Sequence, residues 1–401
     1  MERAEAGPGP LAGVRVVEVT MYMQGPVAGE VLASLGADVV KIEQVGTPDS
    51  VRNFASLFGV PLDDHGQAWL YAALNRGKRS VALDPEGPAG RAVFDRLVAA
   101  ADVFVTNLRP DGLRRLGADP ERLHGVNPRL VYGRGGGFGF DGPLADDPCQ
   151  DTVGMAFGGL MDLAAETDRP SYPPGALSDI LTGTNLASAV LAGLVARGLD
   201  GRGRVVQTSQ VQSLLWLQML PVGMVSSIGR RMPRYSRRGN LNPVFGTFPT
   251  ADGWIAVAVL LDAHWPTFVS AVGLPVLATD ERFATFADRA RHRSDLLDAL
   301  DAHFATRSTQ DWWTTLRTGG VWTSPVHRIE QLADAEQILA NGYLGTFADG
   351  FVGAPVPFDV DGWRPFDAVA AAYGQHTDEV LAELGLSPDE IMQARIDGAV
   401  W

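Results

Sequence analysis

The sequence has one cysteine, Cys149, in 401 residues, which excludes an intrachain disulfide and any site built from several thiolates. That scarcity fits a reducing compartment, so a cytoplasmic protein is expected. Positive charge is short as well: 33 lysines and arginines stand against 47 acidic residues, for a formal net charge of −14. No broad face able to displace the counterions of a nucleic acid is expected, and an anionic ligand would need a local basic pocket. Three basic clusters qualify: Arg76 to Arg79, Arg109 to Arg115, and the densest, Arg230, Arg231, Arg234, Arg237 and Arg238. Long apolar runs are also missing. The windows 186–196 and 214–225 are too short or too interrupted to cross the roughly 30 Å of a bilayer core, so no membrane partner is expected. The N-terminal MERAEAGPGP lacks the apolar centre of a secretory signal. The seven histidines (65, 124, 264, 292, 303, 327, 376) show neither HxxxH nor HExxH spacing, which leaves no basis for a catalytic metal.

What is present is a globular composition, 46% hydrophobic and 20% charged, on a chain longer than one core usually fills. Two domains are expected. Residues 14–19 (VRVVEV) read as a buried strand. Pro26 then opens a helix that Gly36 closes, and a second strand covers Asp38–Glu43. The alternation continues through SVALD (80–84), a helix over 88–100, DVFVTN (102–107), short helical stretches to 125, and PRLVYG (128–133). Alternation of this kind predicts an open, parallel, Rossmann-like α/β sheet. Further on, Ile180 to Val195 predicts a helix buried nearly all round and ended by Arg197 and Gly198. A second apolar stretch, Val205 to Leu220, stops at Pro221. The Gly, Ser, Arg and Pro content of 223–239 marks a connection, after which a smaller α+β domain is expected, with a strand over Trp254–Leu261 and a helix start at Ser308. The resulting division is a large domain over 1–222, completed by 330–401, and a small domain over 223–329. In the tail, HTDEVLAELG (376–385) reads as a capped helix.

Several stretches invite chemistry. Gln24-Gly25-Pro26-Val27-Ala28-Gly29 in the first βα turn, with Glu43 ending the next strand, resembles a dinucleotide fingerprint. It carries two of the three glycines, and Pro26 removes an N–H that a phosphate would use. The run Gly135 to Gly139 admits two readings, amides approaching a ligand or a turn needing positive φ. Cys149 has no signature of an activating histidine partner. Asp179, in GALSD just before the apolar helix, is on local grounds an N-cap. The same helix start beside a glycine-containing loop would also suit a carboxylate nucleophile.

Taken in order, PLAGVRVVEVT (10–20), GPVAGEVLASLGADVVKIE (25–43), NRGKRSVALD (75–84), ADVFVTNLRPDGLRRLG (101–117), NPRLVYGRGGGFGFDGP (127–143), GRGRVVQTSQVQSLL (201–215) and GQHTDEVLAELGL (374–386) resemble the class III CoA-transferases over nearly the whole chain. That family includes formyl-CoA transferase and carnitine CoA-transferase. The resemblance implies a substrate pair of acyl-CoA and a small carboxylic acid, with no permanently bound cofactor. It implies that Asp179 attacks the donor thioester to give an acyl-aspartyl anhydride, from which CoA thiolate forms an aspartyl-CoA thioester that the acceptor carboxylate resolves. Asn107 and Leu108 match positions contacting the CoA nucleotide, Arg115 matches an arginine that meets its phosphates, and Arg109 and Lys78 are placed with them as CoA-binding cations. Asp151 matches a second acidic position, and Gly239 and Asn240 stand where the family has a glycine-rich flap at the acceptor end.

The chain departs from the pattern at several places. Where formyl-CoA transferase has a catalytic glutamine, Met23 stands here with Gln24 next to it, and Gln44 replaces a nucleotide-contacting arginine. Acceptor choice is expected to depend on the small domain and on the loop around 52–68, with Arg52, Trp69 and Tyr71. The α-methylacyl-CoA racemases are the alternative reading on the same fold. They need a histidine just before the second acid, and Gln150 in that place cannot act as a general base. The resemblance also implies an interlaced, ring-like homodimer.

Overall fold

The computed structural model describes residues 9–54, 56–57, 60–61, 69–232, 236–361, 363, 365 and 367–401. Arg234, His65 and most of the loop around 52–68 therefore lie outside the described residues. The chain divides into two compact units: Met1–Met161 with Tyr172–Arg231 and Asn341–Trp401, and Asp162–Ser171 with Met232–Ala340.

The first unit is built on six strands: β1 (Arg15–Val19), β2 (Asp38–Glu43), β3 (Arg79–Ala82), β4 (Val103–Thr106), β5 (Val131–Gly136) and β6 (Arg204–Ser209). They lie in the order β3-β2-β1-β4-β5-β6, and every neighbouring pair is parallel. That is the order of a doubly wound nucleotide-binding sheet, whose direction of winding reverses between β1 and β4. The alternation of side chains along each strand sorts the core into two faces. Val17, Val40, Phe104 and Tyr132 join helix α3 (Pro88–Ala99) and the C-terminal helices on one side. Val16, Val39, Val103 and Val131 meet α1 (Gln24–Ser34) and α7 (Leu177–Asp200) on the other. Between these come α2 (Trp69–Asn75), α4 (Pro110–Leu116), α5 (Pro120–Val126) and α6 (Asp151–Phe157), and after β6 come α8 (Gln210–Leu217) and α9 (Met219–Ile228).

Four expectations are corrected. Helix α7 runs to Asp200, past Gly198, and ends where Gly201 takes φ 76° and donates its N–H to the Arg197 carbonyl. It is not buried all round: the face with Thr182, Gly183, Leu186, Val190 and Gly193 packs inward while Val195 and Leu199 are exposed. At 24 residues it is also long and apolar enough to cross a membrane, which the shorter window hid, yet its small-residue face packs on α1, β5 and β6. Pro221 does not stop a helix; it sits in the first turn of α9, where a missing N–H costs no intrahelical bond.

The tail closes the β3 edge of the sheet. His376 donates its backbone N–H to the Ser80 carbonyl, its ring Nδ1 accepts from Ser80 N, and Thr377 Oγ1 accepts from Ala82 N. The His376 ring thus caps the strand edge and not the following helix, Thr377–Glu383, which has no side-chain cap.

The second unit has the antiparallel sheet β9-β8-β7, made of β7 (Phe245–Pro249), β8 (Trp254–Ala258) and β9 (Trp322–Pro325). Helices α10 (Trp265–Val272), α11 (Arg293–Phe304) and α12 (Thr309–Thr318) cover it, with Phe248, Phe268, Phe304 and Trp312 at the centre. Ser308 starts α12 as expected, its Oγ accepting from Asp311 N at 3.1 Å.

Charged residues inside β1, β2 and β3's approach are explained by pairing. Glu18 and Lys41 are register partners on β1 and β2, both without exposure, with Nζ 3.3 Å from Oε1. Lys41 also meets Asp49 at 2.9 Å, and Lys78 meets Glu18 Oε2 at 2.9 Å. Gly29 of α1 lies against this cluster: a Cβ there would fall 1.7 Å from Glu18 Oε2. The glycine of the fingerprint-like turn is thus required by packing onto a buried ion pair. Gly29→Ala is expected to destabilise by about 3 kcal/mol, since the paired charges have to be displaced. Gly198→Ala, on an exposed helical position with open space around it, is expected to stabilise by about 0.5–1 kcal/mol. Denaturant unfolding of the two variants measures both.

Candidate active site

In the first unit a cleft of about 650 Å³ opens at the carboxyl ends of the strands, next to the reversal between β1 and β4. Residues following β1 (Met21, Tyr22, Gln24), β2 (Gln44), β4 (Asn107 to Leu116) and β5 (Gly137, Gly139) line it, together with Cys149, Gln150, Asp179 and Gln210. Of the residues singled out in the sequence, Gln24, Asn107, Leu108, Arg109, Arg115 and Asp179 come together here.

Asp179 is not the N-cap of α7. The helix starts at Leu177, so Asp179 is its third residue. The capping position is Ala176, held at φ 54° and ψ 40° with no side chain able to accept a hydrogen bond. The missing cap comes from Asp151, the first residue of α6. Its Oδ1 accepts from Ser178 N at 2.8 Å and from Asp179 N at 3.3 Å, and the Tyr172 hydroxyl donates to its Oδ2 at 3.2 Å. Asp151 is itself buried and does not line the cleft. Capping by a neighbouring carboxylate brings two acids together, and no cation is paired with either among the described residues. Burial, then repulsion from Asp151, pushes the Asp179 carboxyl up to about 7, opposed by a hydrogen bond from Gln210 Nε2 to Oδ1 at 2.6 Å.

Glycines make room for the wall around it. A Cβ on Gly135 would fall 3.1 Å from the Gln24 amide carbon, and one on Gly137 would fall 2.1 Å from Cys149 Cβ. Of the run 135–139 only Gly139 has positive φ, so the run serves close approach more than turning. Gln24 lies at the first position of α1, buried, with Nε2 donating to the Gly136 carbonyl at 2.9 Å. Asn107 has both side-chain groups engaged: Oδ1 accepts from Met21 N at 2.9 Å and Nδ2 donates to Met21 O at 2.8 Å. It ties the turn after β1 to the one after β4. Leu108 N donates to Thr106 Oγ1. The Arg115 side chain is 70% exposed, and its one ion pair among the described residues is a 3.6 Å contact to Glu86, a surface pair too weak to hold it.

Other expected residues lie elsewhere. Lys78 is enclosed in the Glu18 cluster, donating also to Pro26 O and to Asn75 Oδ1, and it is absent from the cleft wall. A lysine with all three protons engaged at a buried site has none left for a phosphate. Arg52 is bound through Nε and Nη2 to Glu43 at 2.8 and 2.7 Å and lies 3.6 Å over the Tyr71 ring. Trp69 is exposed and packs on Phe351. Gly239 and Asn240 belong to a turn of the second unit, where Asn240 Nδ2 donates to Phe245 O. Gln210 was not anticipated. Its signal was available in principle: a polar side chain just past a strand of a parallel sheet, where such folds place ligands.

The model of CoA-transferase family III matches residues 11–377 of this chain. The succinate–glutarate CoA-transferase of Agrobacterium fabrum is 33% identical over 94% of this chain and 96% of its own length. The succinyl-CoA–D-citramalate CoA-transferase of Chloroflexus aurantiacus is 31% identical over 96% of each. A crystal structure of a CAIB/BAIF family protein from Brucella suis matches with a TM-score of 0.84 at 30% identity, over 94% of this chain and 100% of that one.

The raised Asp179 pKa has a consequence for stability. The folded state holds this proton to about pH 7, whereas an unfolded aspartate releases it near 3.8. Between those values the unfolded chain is the one that loses the proton, so Asp179 destabilises the fold increasingly as pH rises, and the effect is complete above 7. Asp179→Asn is expected to be more stable than the parent at pH 8 by on the order of 2–4 kcal/mol, with the difference disappearing by about pH 4. Unfolding titrations across that range measure it.

Proposed function

The chain belongs to CoA-transferase family III, and from that premise we propose that it moves CoA from an acyl-CoA to a carboxylic acid with Asp179 as the covalent nucleophile. The observation that carries the assignment is a buried carboxylate, paired with no cation among the described residues, at the wall of a cleft large enough for the reacting end of an acyl-CoA.

The steps balance without protons. An Asp179 oxygen attacks the donor carbonyl carbon, the C–S bond breaks, and CoA leaves as thiolate from an acyl-aspartyl anhydride. The thiolate attacks the Asp179 carbonyl carbon, the donor acid leaves as carboxylate, and an aspartyl-CoA thioester remains. The acceptor carboxylate attacks that thioester, expelling thiolate and forming a second anhydride. The thiolate then attacks the acceptor carbonyl and restores the Asp179 carboxylate. One thioester replaces another, so no ATP is needed, and the site's task is to protect the anhydrides from water.

In this reading the first unit binds CoA. Arg115, exposed and weakly paired, meets phosphate, where a planar guanidinium can bond two oxygens at once. Arg109 lies on the same wall, and Asn107 and Leu108 shape the nucleotide end through a turn their polar groups already brace. Gln24 offers a neutral amide at the acyl end. Asp151 acts by positioning α7.

Incubation with succinyl-CoA and hydroxylamine tests the nucleophile. A hydroxamate on the peptide carrying Asp179 is expected, and Asp179→Ala is expected to lower turnover by about three orders of magnitude. No adduct together with exchange of the substrate α-proton into deuterated water would replace transfer by racemisation.

A homodimer is the second element of the proposal. Helices α8 and α9 expose Trp216, Leu217, Met219, Leu220, Val225 and Ile228, six large apolar side chains within thirteen positions. A second copy interlaced with the first is the occupant. Light scattering is expected to give twice the chain mass of 42.8 kDa, and a species of one chain mass would refute it.

A further inference from the structure

The reading of Asp179 as nucleophile leaves open what orients its carboxylate, which has two oxygens and a rotatable bond. Among the described residues the carboxylate's one hydrogen bond is from Gln210 Nε2 to Oδ1 at 2.6 Å, which leaves Oδ2 without one. Gln210 is 2% exposed at the start of α8. Its own amide could face either way, since its oxygen and nitrogen ends have nearly the same shape. Two contacts remove that freedom: the ionised Asp179 carboxylate can only accept, so it takes the nitrogen end, and the Cys149 thiol lies 2.9 Å from Oε1 as its donor. Gly154 of α6 leaves room for the amide, since a Cβ there would come within 2.4 Å of Oε1. Burial, with the neighbouring Asp179 and Asp151 charges, pushes the Cys149 thiol up to about 11, so at neutral pH it carries a proton to donate.

We propose that Gln210 is a positioning residue for Asp179, its amide set by the Cys149 thiol so that Nε2 holds Oδ1 and leaves Oδ2 to attack. The chain of contacts runs thiol to amide oxygen, amide nitrogen to carboxylate. It rests on Asp179 being the nucleophile only for its effect on rate; the orientation and its effect on the carboxyl belong to the free protein.

The groups around Asp179 are Asp151 from α6, Tyr172 from the preceding loop, Cys149, and Gln210 from α8, with no cation among them. Gln210 is thus the group that favours the charged form. The test is a ¹³C NMR titration of the Asp179 carboxyl in the full chain, labelled at aspartate and assigned by its loss in Asp179→Asn. Alongside it runs the pH profile of kcat/KM with succinyl-CoA. Gln210→Met keeps the volume and removes the donor; the Asp179 titration and the acid limb of the profile are both expected to move up by about one pH unit. Cys149→Ala is expected to move both in the same direction by less, and Cys149→Ser, which restores an O–H donor, to return them toward the parent. An unmoved carboxyl titration in both Gln210→Met and Cys149→Ala would overturn the proposal, and Cys149→Ala keeps the test available if Gln210→Met does not fold. A moved titration with an unmoved acid limb would retain the positioning role and instead count against Asp179 as nucleophile.

Discussion

The Asp151 carboxylate at the start of α7 is the contact on which the geometry of the site depends. A 24-residue helix begins there at Ala176, in the left-handed region, with no side chain to accept the first N–H groups. Unmet donors at a buried helix start are costly, and the dipole favours a negative charge in that place. Asp151 meets both needs from another helix, and in doing so fixes α6 against α7. Because the cap is a carboxylate from outside, Asp179 is displaced from the capping position to the third residue, where its own carboxylate reaches the cleft instead of its own helix.

The first unit treats buried charge in two opposite ways. Glu18 lies between Lys41 and Lys78, so each charge has a partner within 3.3 Å. Such a cluster is rigid, and it braces β1, β2 and the start of α1, from whose ends the cleft is formed. At Asp179 the arrangement is reversed: a second carboxylate lies near, and only a neutral amide compensates. Stability is surrendered where reactivity is needed, and paired charges close by hold the frame that allows it.

The sheet was readable because strands buried on both faces admit little but β-branched and aromatic residues, and Val16–Val17 with Val19 and Val103–Thr106 satisfy that. Glu18 and Lys41 interrupt that rule and are explained only by their register across two strands. Lys78 shows the cost of reading a cation locally: its anion is 60 positions away, so its burial left no mark in the neighbouring sequence. The candidate nucleophile was locally ambiguous for a related reason. GALSD looks like a cap, and the residue that in fact caps the helix sits 27 positions earlier. Gln210 and Cys149 were hidden by the same distance, 61 positions apart and joined only through the fold. The glycines were legible as glycines but not in purpose: Gly29 gives way to an ion pair, and Gly135 and Gly137 to the side chains of Gln24 and Cys149.

In the mechanism proposed above, Asp179 would be both nucleophile and leaving group, and a carboxyl pushed up to about 7 suits that double role. Raised basicity strengthens its attack on a thioester. It also directs the returning thiolate: in the first anhydride the less basic substrate carboxylate departs more readily, so attack falls on the aspartyl carbonyl and the aspartyl-CoA thioester forms. The final step needs the reverse, with Asp179 expelled from the second anhydride, and there the same basicity is a handicap. A donor on one oxygen resolves the conflict. The bond from Gln210 Nε2 to Oδ1 strengthens as negative charge returns to Asp179, so in the proposed mechanism it would assist that departure. In that mechanism Asp151 would raise the carboxylate and Gln210 limit the rise, so that the two opposed contacts together serve both directions of the exchange.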